Sequence, residues 1–260
     1  MKEISILGCG WLGLPLAAHL AYAGWNVKGS TTRLEKFSAL YEKGIQPYQI
    51  QADEPIPSSD FFDSPILVIN IPPRSKTRGP AHAQQQLNHI LAHVKPSTWI
   101  VFISSTSVYP DTQDWVTEMD ADLTHPLVAL ENQVRLHAPK SLILRCGGLM
   151  GGDRLPGKYV QGKVLEYNGQ ALINYIHQDD VVRAIQTSLG KPMAPGIYNL
   201  VSPIHPTRKE VMVLSCQRHG WPLPEFKQDG PTEPYKIVSG DAFCQSYDFT
   251  YTWPDPRTYV

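Results

Sequence analysis

Lys2-Glu3-Ile4-Ser5-Ile6-Leu7-Gly8-Cys9-Gly10-Trp11-Leu12-Gly13 is the stretch that decides the fold. Lys2 to Leu7 is a short aliphatic, partly β-branched run that predicts a strand, and it passes at once into a turn carrying three glycines. From Leu12 to Tyr22 apolar side chains return at helical spacing, Leu16 and Leu20 sit four apart, and Gly24 stops the helix after Ala23. Trp25 to Gly29 then predicts a second strand. Strand, helix and strand within about 30 residues form a crossover unit, whose two strands lie parallel with the helix on one face of the sheet.

The alternation continues along the chain. A polar helix is expected from Leu34 to Lys43, a weak strand near Tyr48, and a strongly apolar strand from Ile66 to Ile71 that Pro72-Pro73 stops. A helix from His82 to Val94 precedes the strand Trp99 to Ile103, and a helix from Pro126 to His137 precedes the strand Ser141 to Arg145. Strands alternating with helices predict an α/β protein built on a Rossmann doubly wound parallel sheet. Beyond Arg145 the chain is richer in Gly and Pro, although Asp179 to Leu189 reads as an amphipathic helix with Asp180 as its cap and Gly196 to Val201 as a strand. The Pro- and aromatic-rich tail from Trp221 predicts a small irregular C-terminal lobe.

Composition bounds the function. The chain has 260 residues, 42% apolar and 18% charged, enough to bury a core, which excludes disorder. With 23 basic against 24 acidic residues it lacks the excess positive charge of a nucleic-acid binder, and its longest basic stretch is the short Arg74-Ser75-Lys76-Thr77-Arg78. No apolar run approaches the roughly 18 to 20 residues of a membrane span, and the opening segment reads as strand and turn rather than a cleavable signal, so no membrane partner and a cytoplasmic location are expected. Cys9, Cys146, Cys216 and Cys244 are far apart and form no C-x-x-C pair, which predicts reduced thiols and no metal site. His89 and His93 have a zinc-ligand spacing, with His82 nearby, but no convincing third ligand.

A G-x-G-x-x-G turn between a first strand and a first helix is the pattern of a dinucleotide phosphate site. Gly8 permits the tight turn, Gly10 lets the backbone approach a pyrophosphate, and Gly13 allows helix to pack closely on strand; Trp11 and Leu12 complete the turn. The helix N-terminus then offers N–H groups and partial positive charge to the phosphates. At the end of the second strand, where an NAD site carries a carboxylate for the ribose, this chain has Gly29-Ser30-Thr31-Thr32-Arg33. Arg33 suits a 2′-phosphate, with the hydroxyls of Ser30, Thr31 or Thr32 adding donors, so NADP is favoured over NAD. The other reading, Arg33 as a solvated first-turn residue, stays open; Lys28 and Lys36 are the other basic residues close in sequence.

With the glycine turn, later motifs resemble those of the extended and atypical short-chain dehydrogenase/reductase superfamily, which contains nucleotide-sugar epimerases and dehydratases. Ile103-Ser104-Ser105-Thr106-Ser107-Val108-Tyr109-Pro110 is similar to the segment that carries a catalytic hydroxyl at the end of the fifth strand. Leu144-Arg145-Cys146-Gly147-Gly148-Leu149-Met150-Gly151 resembles the arginine and glycine segment after the sixth strand. Tyr175-Ile176-His177-Gln178-Asp179-Asp180-Val181 and Pro195-Gly196-Ile197-Tyr198-Asn199-Leu200 resemble the later helix opening and the strand that follows it. The likeness spans residues 1 to about 220 and is nearest the bacterial YeeZ-like atypical reductases. It implies an NAD(P)-binding Rossmann domain over residues 1–146. Residues 147–260 would then be a mixed region adding sheet elements and a small substrate-binding lobe.

The resemblance breaks at the catalytic pair. Family enzymes place Tyr and Lys four apart at the start of the helix before the sixth strand, where the lysine lowers the tyrosine pKa for proton transfer. Here that helix reads Pro126-Leu127-Val128-Ala129-Leu130-Glu131-Asn132-Gln133-Val134-Arg135. Tyr159 and Lys163 have the spacing but follow the sixth strand, and read as a chance match. The resemblance maps Ser105 onto the catalytic hydroxyl and leaves Tyr109 as the nearby proton donor, a poor base at neutral pH unless a cofactor or Lys76 assists. Thr106-Ser107 stand where dehydratases carry Asp-Glu, which disfavours sugar dehydration. For Ser104 to Ser107 a plain strand-end hydroxyl cluster remains the alternative. For Arg145, contact with a substrate phosphate or with a neighbouring carboxylate stays an even choice.

The expected function is an NADP-binding oxidoreductase or epimerase acting on a carbonyl or hydroxyl of a small polar metabolite, a nucleotide sugar being one candidate. The competing expectation is a non-catalytic NADP-binding sensor.

Overall fold

The computed structural model describes residues 2–72, 75–190 and 194–260, and the backbone alone of Ser75 and Lys76. The assisting role expected of Lys76 and the proline stop at Pro73 therefore lie outside the described residues, as does Arg74 of the short basic stretch.

Seven strands form one sheet: β1 Glu3–Leu7, β2 Asn26–Thr31, β3 Ile45–Gln49, β4 Ile66–Ile69, β5 Trp99–Ser105, β6 Ser141–Cys146 and β7 Gly196–Leu200. Their order is β3-β2-β1-β4-β5-β6-β7, so the sheet reverses its winding between β1 and β4. The pairs β1–β2, β2–β3, β1–β4 and β4–β5 are parallel. This is the doubly wound arrangement expected from the alternation of strand and helix, and the crevice outside the carboxyl ends of β1 and β4 is where such a sheet takes a ligand.

Local chemistry accounts for the elements. All four residues of Ile66–Ile69 are buried, which is why this run shows no polar alternation: a parallel strand is covered on both faces. Helix α1, Gly13–Tyr22, buries Leu16, Ala17 and Leu20 along one stripe and leaves Tyr22 exposed. The weakness of the third strand has a positional cause. Pro47 removes a ladder donor, and β3 lies at the sheet edge, where that loss is tolerated. The polar helix expected after β2 is a 3₁₀ turn, Leu34–Lys36, running into the short α2, Phe37–Tyr41.

Helix α3 spans Pro80–Leu91 and α4 spans Pro126–His137, each opening with proline in its first turn, where the missing N–H costs nothing. Helix α5, Gln178–Gly190, follows. Helix α6, Arg208–His219, was not anticipated, yet its signals stand in the sequence. Thr207 Oγ1 accepts from Glu210 N at 3.2 Å and Glu210 Oε2 accepts from Thr207 N at 2.7 Å, a capping box, and Gly220 closes the helix in the left-handed region.

The chain forms two compact units that interleave in sequence. One comprises Met1–Ser104, Leu123–Leu144 and Pro192–Ile197; the other Ser105–Asp122, Arg145–Lys191 and Tyr198–Val260. A single boundary after residue 146 does not describe them, because β5, β6 and β7 each pass from the first unit into the second along their length. The tail beyond Trp221 holds short strands at Glu225–Phe226 and Ile237–Val238 and a helix at Asp241–Tyr247, around a cluster of Tyr198, Phe243, Tyr247, Phe249 and Tyr251. Among the described residues no helix is long and apolar enough to cross a membrane.

Candidate functional site: a glycine cradle and a buried tyrosine network

The first unit carries a cleft of about 420 Å³ at the carboxyl ends of β1 and β2. Its floor is the glycine turn, and the three glycines differ in why they are glycines. Gly8 has φ +101°, and a Cβ there would lie 2.8 Å from Ile71 Cγ2 and 2.9 Å from Asn70 O. A Cβ on Gly13 would lie 2.1 Å from Gly8 O, so α1 could not approach the turn. A Cβ on Gly10 would meet nothing within 4 Å. The protein's own packing therefore requires glycine at 8 and 13 and does not require it at 10, where the open space faces the cleft that Gly10 lines.

The turn is held from beneath. Gly8 N donates to Ser30 Oγ at 2.9 Å, Cys9 N to Ser30 O at 2.7 Å, and Asn70 Nδ2 to Gly8 O at 3.2 Å. Cys9 packs its thiol toward β2, 3.8 Å from Ile6 O, and burial pushes it up to about 12, so it is unreactive at neutral pH. At the start of α1 the cap residue Leu12 makes no side-chain hydrogen bond, and no acidic residue stands in the first turn. The helix N-terminus thus keeps its partial positive charge unopposed by a side chain of its own.

Of the residues predicted from sequence, Gly8, Gly10, Ser30, Thr31 and Arg33 line the cleft together. Leu12 is buried, Trp11 is half-buried, and these two with Gly13 stand outside the lining. The hydroxyls of Ser30 and Thr31 both accept from backbone N–H groups, which leaves their own protons to be donated. Ser30 is buried with its Oγ engaged by Gly8, and Thr31 Oγ1 accepts from Arg33 N at 3.3 Å, so both shape the backbone that presents Arg33. The Arg33 side chain is 61% exposed, and its Nε lies 3.8 Å from Glu35 Oε1, a loose contact.

Other lining residues had been missed. Asn70 follows the buried run of β4 directly, and a polar side chain at the end of a parallel strand was a readable signal. Asp53 gave none. Its carboxylate accepts from Gln86 Nε2 at 2.9 Å and Arg78 Nη1 at 2.9 Å, partners some 25 to 33 residues away that only the tertiary fold supplies. His82, His89 and His93 are used in the same way: His82 lies 3.5 Å from Asp53, His89 Nδ1 is 3.2 Å from Ala52 O, and His93 stacks on Phe62. Among the described residues no group of three His, Cys, Asp or Glu is placed to hold a metal ion.

In the second unit Tyr109 is buried, and its hydroxyl donates to Asn199 Oδ1 at 2.6 Å while accepting from Arg145 Nη1 at 2.9 Å. Arg145 Nη1 also donates to Glu118 O at 2.9 Å, and Glu118 Oε1 accepts from Asn199 N at 2.8 Å. Burial pushes the phenol up to about 12, outweighing the lowering by Arg145. That hydroxyl is engaged on both sides, unlike the free proton donor expected at this position, and the network joins the segments carrying residues 109, 118, 145 and 199. Arg145 meets Tyr109 and a backbone carbonyl within the same network. Ser105 is half-buried, and its Oγ accepts from Ser107 N at 3.1 Å, capping the turn Thr106–Val108. Lys236 Nζ, 2.9 Å from Tyr109 O, secures the same segment.

Helix α4, where the resemblance would put the family pair, carries neither Tyr nor Lys; its Leu127 and Glu131 are buried, and Ser104 Oγ donates to Glu131 Oε1 at 2.5 Å within the first unit. Tyr159 and Lys163 do not form a pair either: the lysine donates to the Tyr159 backbone carbonyl at 2.8 Å and the ring is exposed. Asp180 is not the cap of α5. It is fully buried, and its carboxylate accepts from Thr252 N at 2.8 Å, Trp253 N at 2.9 Å and Arg183 Nη1 at 3.0 Å, anchoring the C-terminal segment to the helix. His177 Nδ1 instead accepts from Asp179 N at 3.2 Å.

No protein-family model matches the chain. The protein YeeZ of Escherichia coli K12 is 34% identical over 271 aligned positions, covering 98% of each chain. Among solved structures, a conserved protein of unknown function from Silicibacter pomeroyi superposes with a TM-score of 0.77 at 22% identity, over 100% of this chain and 96% of that one. MoeE5 in complex with UDP-glucose and NAD superposes with a TM-score of 0.76 at 16% identity, over 99% and 97%. At these identities the two structures speak for the fold, while the YeeZ match runs the length of both proteins. The chain belongs to the YeeZ family.

Proposed function

We propose that the chain binds NADP through the glycine cradle and acts as an oxidoreductase or epimerase on a carbonyl or hydroxyl of a small polar metabolite. The observation that carries the reading is Gly10, whose missing side chain serves no contact within the protein and leaves the backbone open to the cleft. A dinucleotide pyrophosphate is the ligand that such a turn, beside an uncapped helix N-terminus, accommodates. A bound nicotinamide supplies hydride chemistry; the chain supplies the site. Gly8 and Gly10 form the phosphate cradle, Ser30 and Asn70 brace it, and Arg33 pairs with the 2′-phosphate. MoeE5, which shares the fold, holds both a nucleotide sugar and NAD, and a nucleotide sugar is the substrate class we infer here.

The active site departs from the family's. Helix α4 carries no Tyr–Lys pair and Tyr109 is held as a buried phenol, so Ser105 is the hydroxyl we assign to a substrate oxygen. The second reading, a non-catalytic NADP-binding sensor, is favoured by that same Tyr109 network. Titration of the protein with NADPH and NADH, followed by cofactor fluorescence, tests the first step. NADPH is expected to bind more tightly, and Arg33→Ala to weaken NADPH alone by roughly 1.5 to 3 kcal/mol. Absence of binding by either nucleotide at millimolar concentration overturns the cofactor assignment. Slow NADPH oxidation with a nucleotide sugar, abolished by Ser105→Ala, separates enzyme from sensor.

A further inference from the structure

Resting on the NADP reading above, we propose that Lys36 is a second specificity-determining cation, pairing with the same 2′-phosphate as Arg33. The turn that follows β2 is closed by Lys36 N donating to Arg33 O at 3.2 Å. That bond closes the turn on itself, and Arg33, extended at its start, and Lys36, at its end, both line the cleft. Glu35, between them, is well exposed, and its contact with Arg33 is a loose 3.8 Å.

Charge balance then distinguishes Lys36. A phosphate monoester carries close to two negative charges at neutral pH, and one guanidinium leaves about one of them unmatched. Lys28, the other basic residue near in sequence, is unavailable: its ammonium is buried 2.9 Å from Glu3 Oε1 and 3.4 Å from Asp60 Oδ2, and it donates to Asp60 O at 2.8 Å. The carboxylate in the cleft, Asp53, is matched by Arg78 at 2.9 Å and so does not compete for Lys36. Lys36 is half-buried at the cleft wall with no carboxylate partner among the described residues. A lysine in that position gains by meeting an anion and matches the charge that Arg33 leaves over.

Fluorescence titrations of wild type, Lys36→Ala, Lys36→Arg and Arg33→Ala with NADPH and with NADH, at low and at physiological salt, test this. Lys36→Ala is expected to weaken NADPH roughly tenfold with NADH within twofold of wild type, and Lys36→Arg to keep most of the affinity. The difference between NADPH and NADH should shrink at higher salt. If Lys36→Ala leaves NADPH unchanged, or weakens NADPH and NADH equally, while wild type still prefers NADPH, the role of Lys36 is refuted and the NADP assignment stands on Arg33. If wild type shows no preference for NADPH, the NADP reading and this inference both fail.

Discussion

Substituting Gly10 by Ala should separate binding from folding, because the two requirements fall on different glycines. The new methyl at position 10 meets no protein atom within 4 Å and no left-handed backbone is involved. Stability should therefore hold or rise by about 0.4 to 1 kcal/mol, as the unfolded chain loses freedom. Gly13→Ala drives a methyl to 2.1 Å from Gly8 O, a backbone atom that cannot turn aside, and should cost about 3 kcal/mol or more. For binding the order reverses. A methyl at position 10 displaces a pyrophosphate from the turn and forfeits a charge-assisted N–H contact, about 1.5 to 3 kcal/mol or roughly 10- to 100-fold in affinity. Thermal unfolding with and without NADPH reads both effects. At a hundred times the wild-type Kd the ligand stabilises by about 2.7 kcal/mol, a rise of roughly 5 to 11 °C, and Gly10→Ala should retain at most about half of it. A Gly10→Ala protein that melts like wild type and is stabilised by NADPH to the same extent would refute the cradle. One that melts several degrees lower without ligand would refute the packing argument.

Tyr109→Phe leaves Arg145 Nη1 and Asn199 Oδ1 short of a buried partner and should cost about 1 to 3 kcal/mol by denaturant unfolding, with NADPH affinity unchanged. An unchanged stability would restore Tyr109 as a candidate for chemistry. Asp180→Ala strips the acceptor from Thr252 N and Trp253 N, and limited proteolysis should then cut the C-terminal segment first; a wild-type digestion pattern would contradict the anchor. The hydrogen bond from Lys28 holds Glu3 below the usual carboxylate range, and the hydrogen bond from Tyr48 does the same for Asp60. Unfolded, these groups bind protons near pH 4. Their stabilisation is therefore complete above that range and lost as pH falls through the lower folded values, so unfolding midpoints should drop in acid. Glu3→Gln should make that acid dependence shallower, and an unaltered slope would count against the assignment.

The order of elements was legible because its determinants are local. The glycine turn after an aliphatic run, the i, i+4 stripe of Leu16 and Leu20, and prolines opening α3 and α4 act over one or two turns of chain. Helix α6 was legible too, through Thr207, Glu210 and Gly220. The cleft was half legible: Gly8, Gly10 and Arg33 announced themselves, while Asp53 acquired its place only when α3 brought Gln86 and Arg78 against it.

What the sequence by itself determined was the doubly wound sheet and the site of its glycine turn, since strand, turn and helix follow from period and from glycine's freedom. What only the tertiary structure decided was the use of each polar side chain. Whether Tyr109 donates to Asn199 or elsewhere, whether Asp180 caps a helix or holds residues 252 and 253, and which N–H Ser30 receives depend on partners 22 to 90 residues away. Buried hydrogen-bonding groups must find such partners, and long-range packing alone selects which ones they meet.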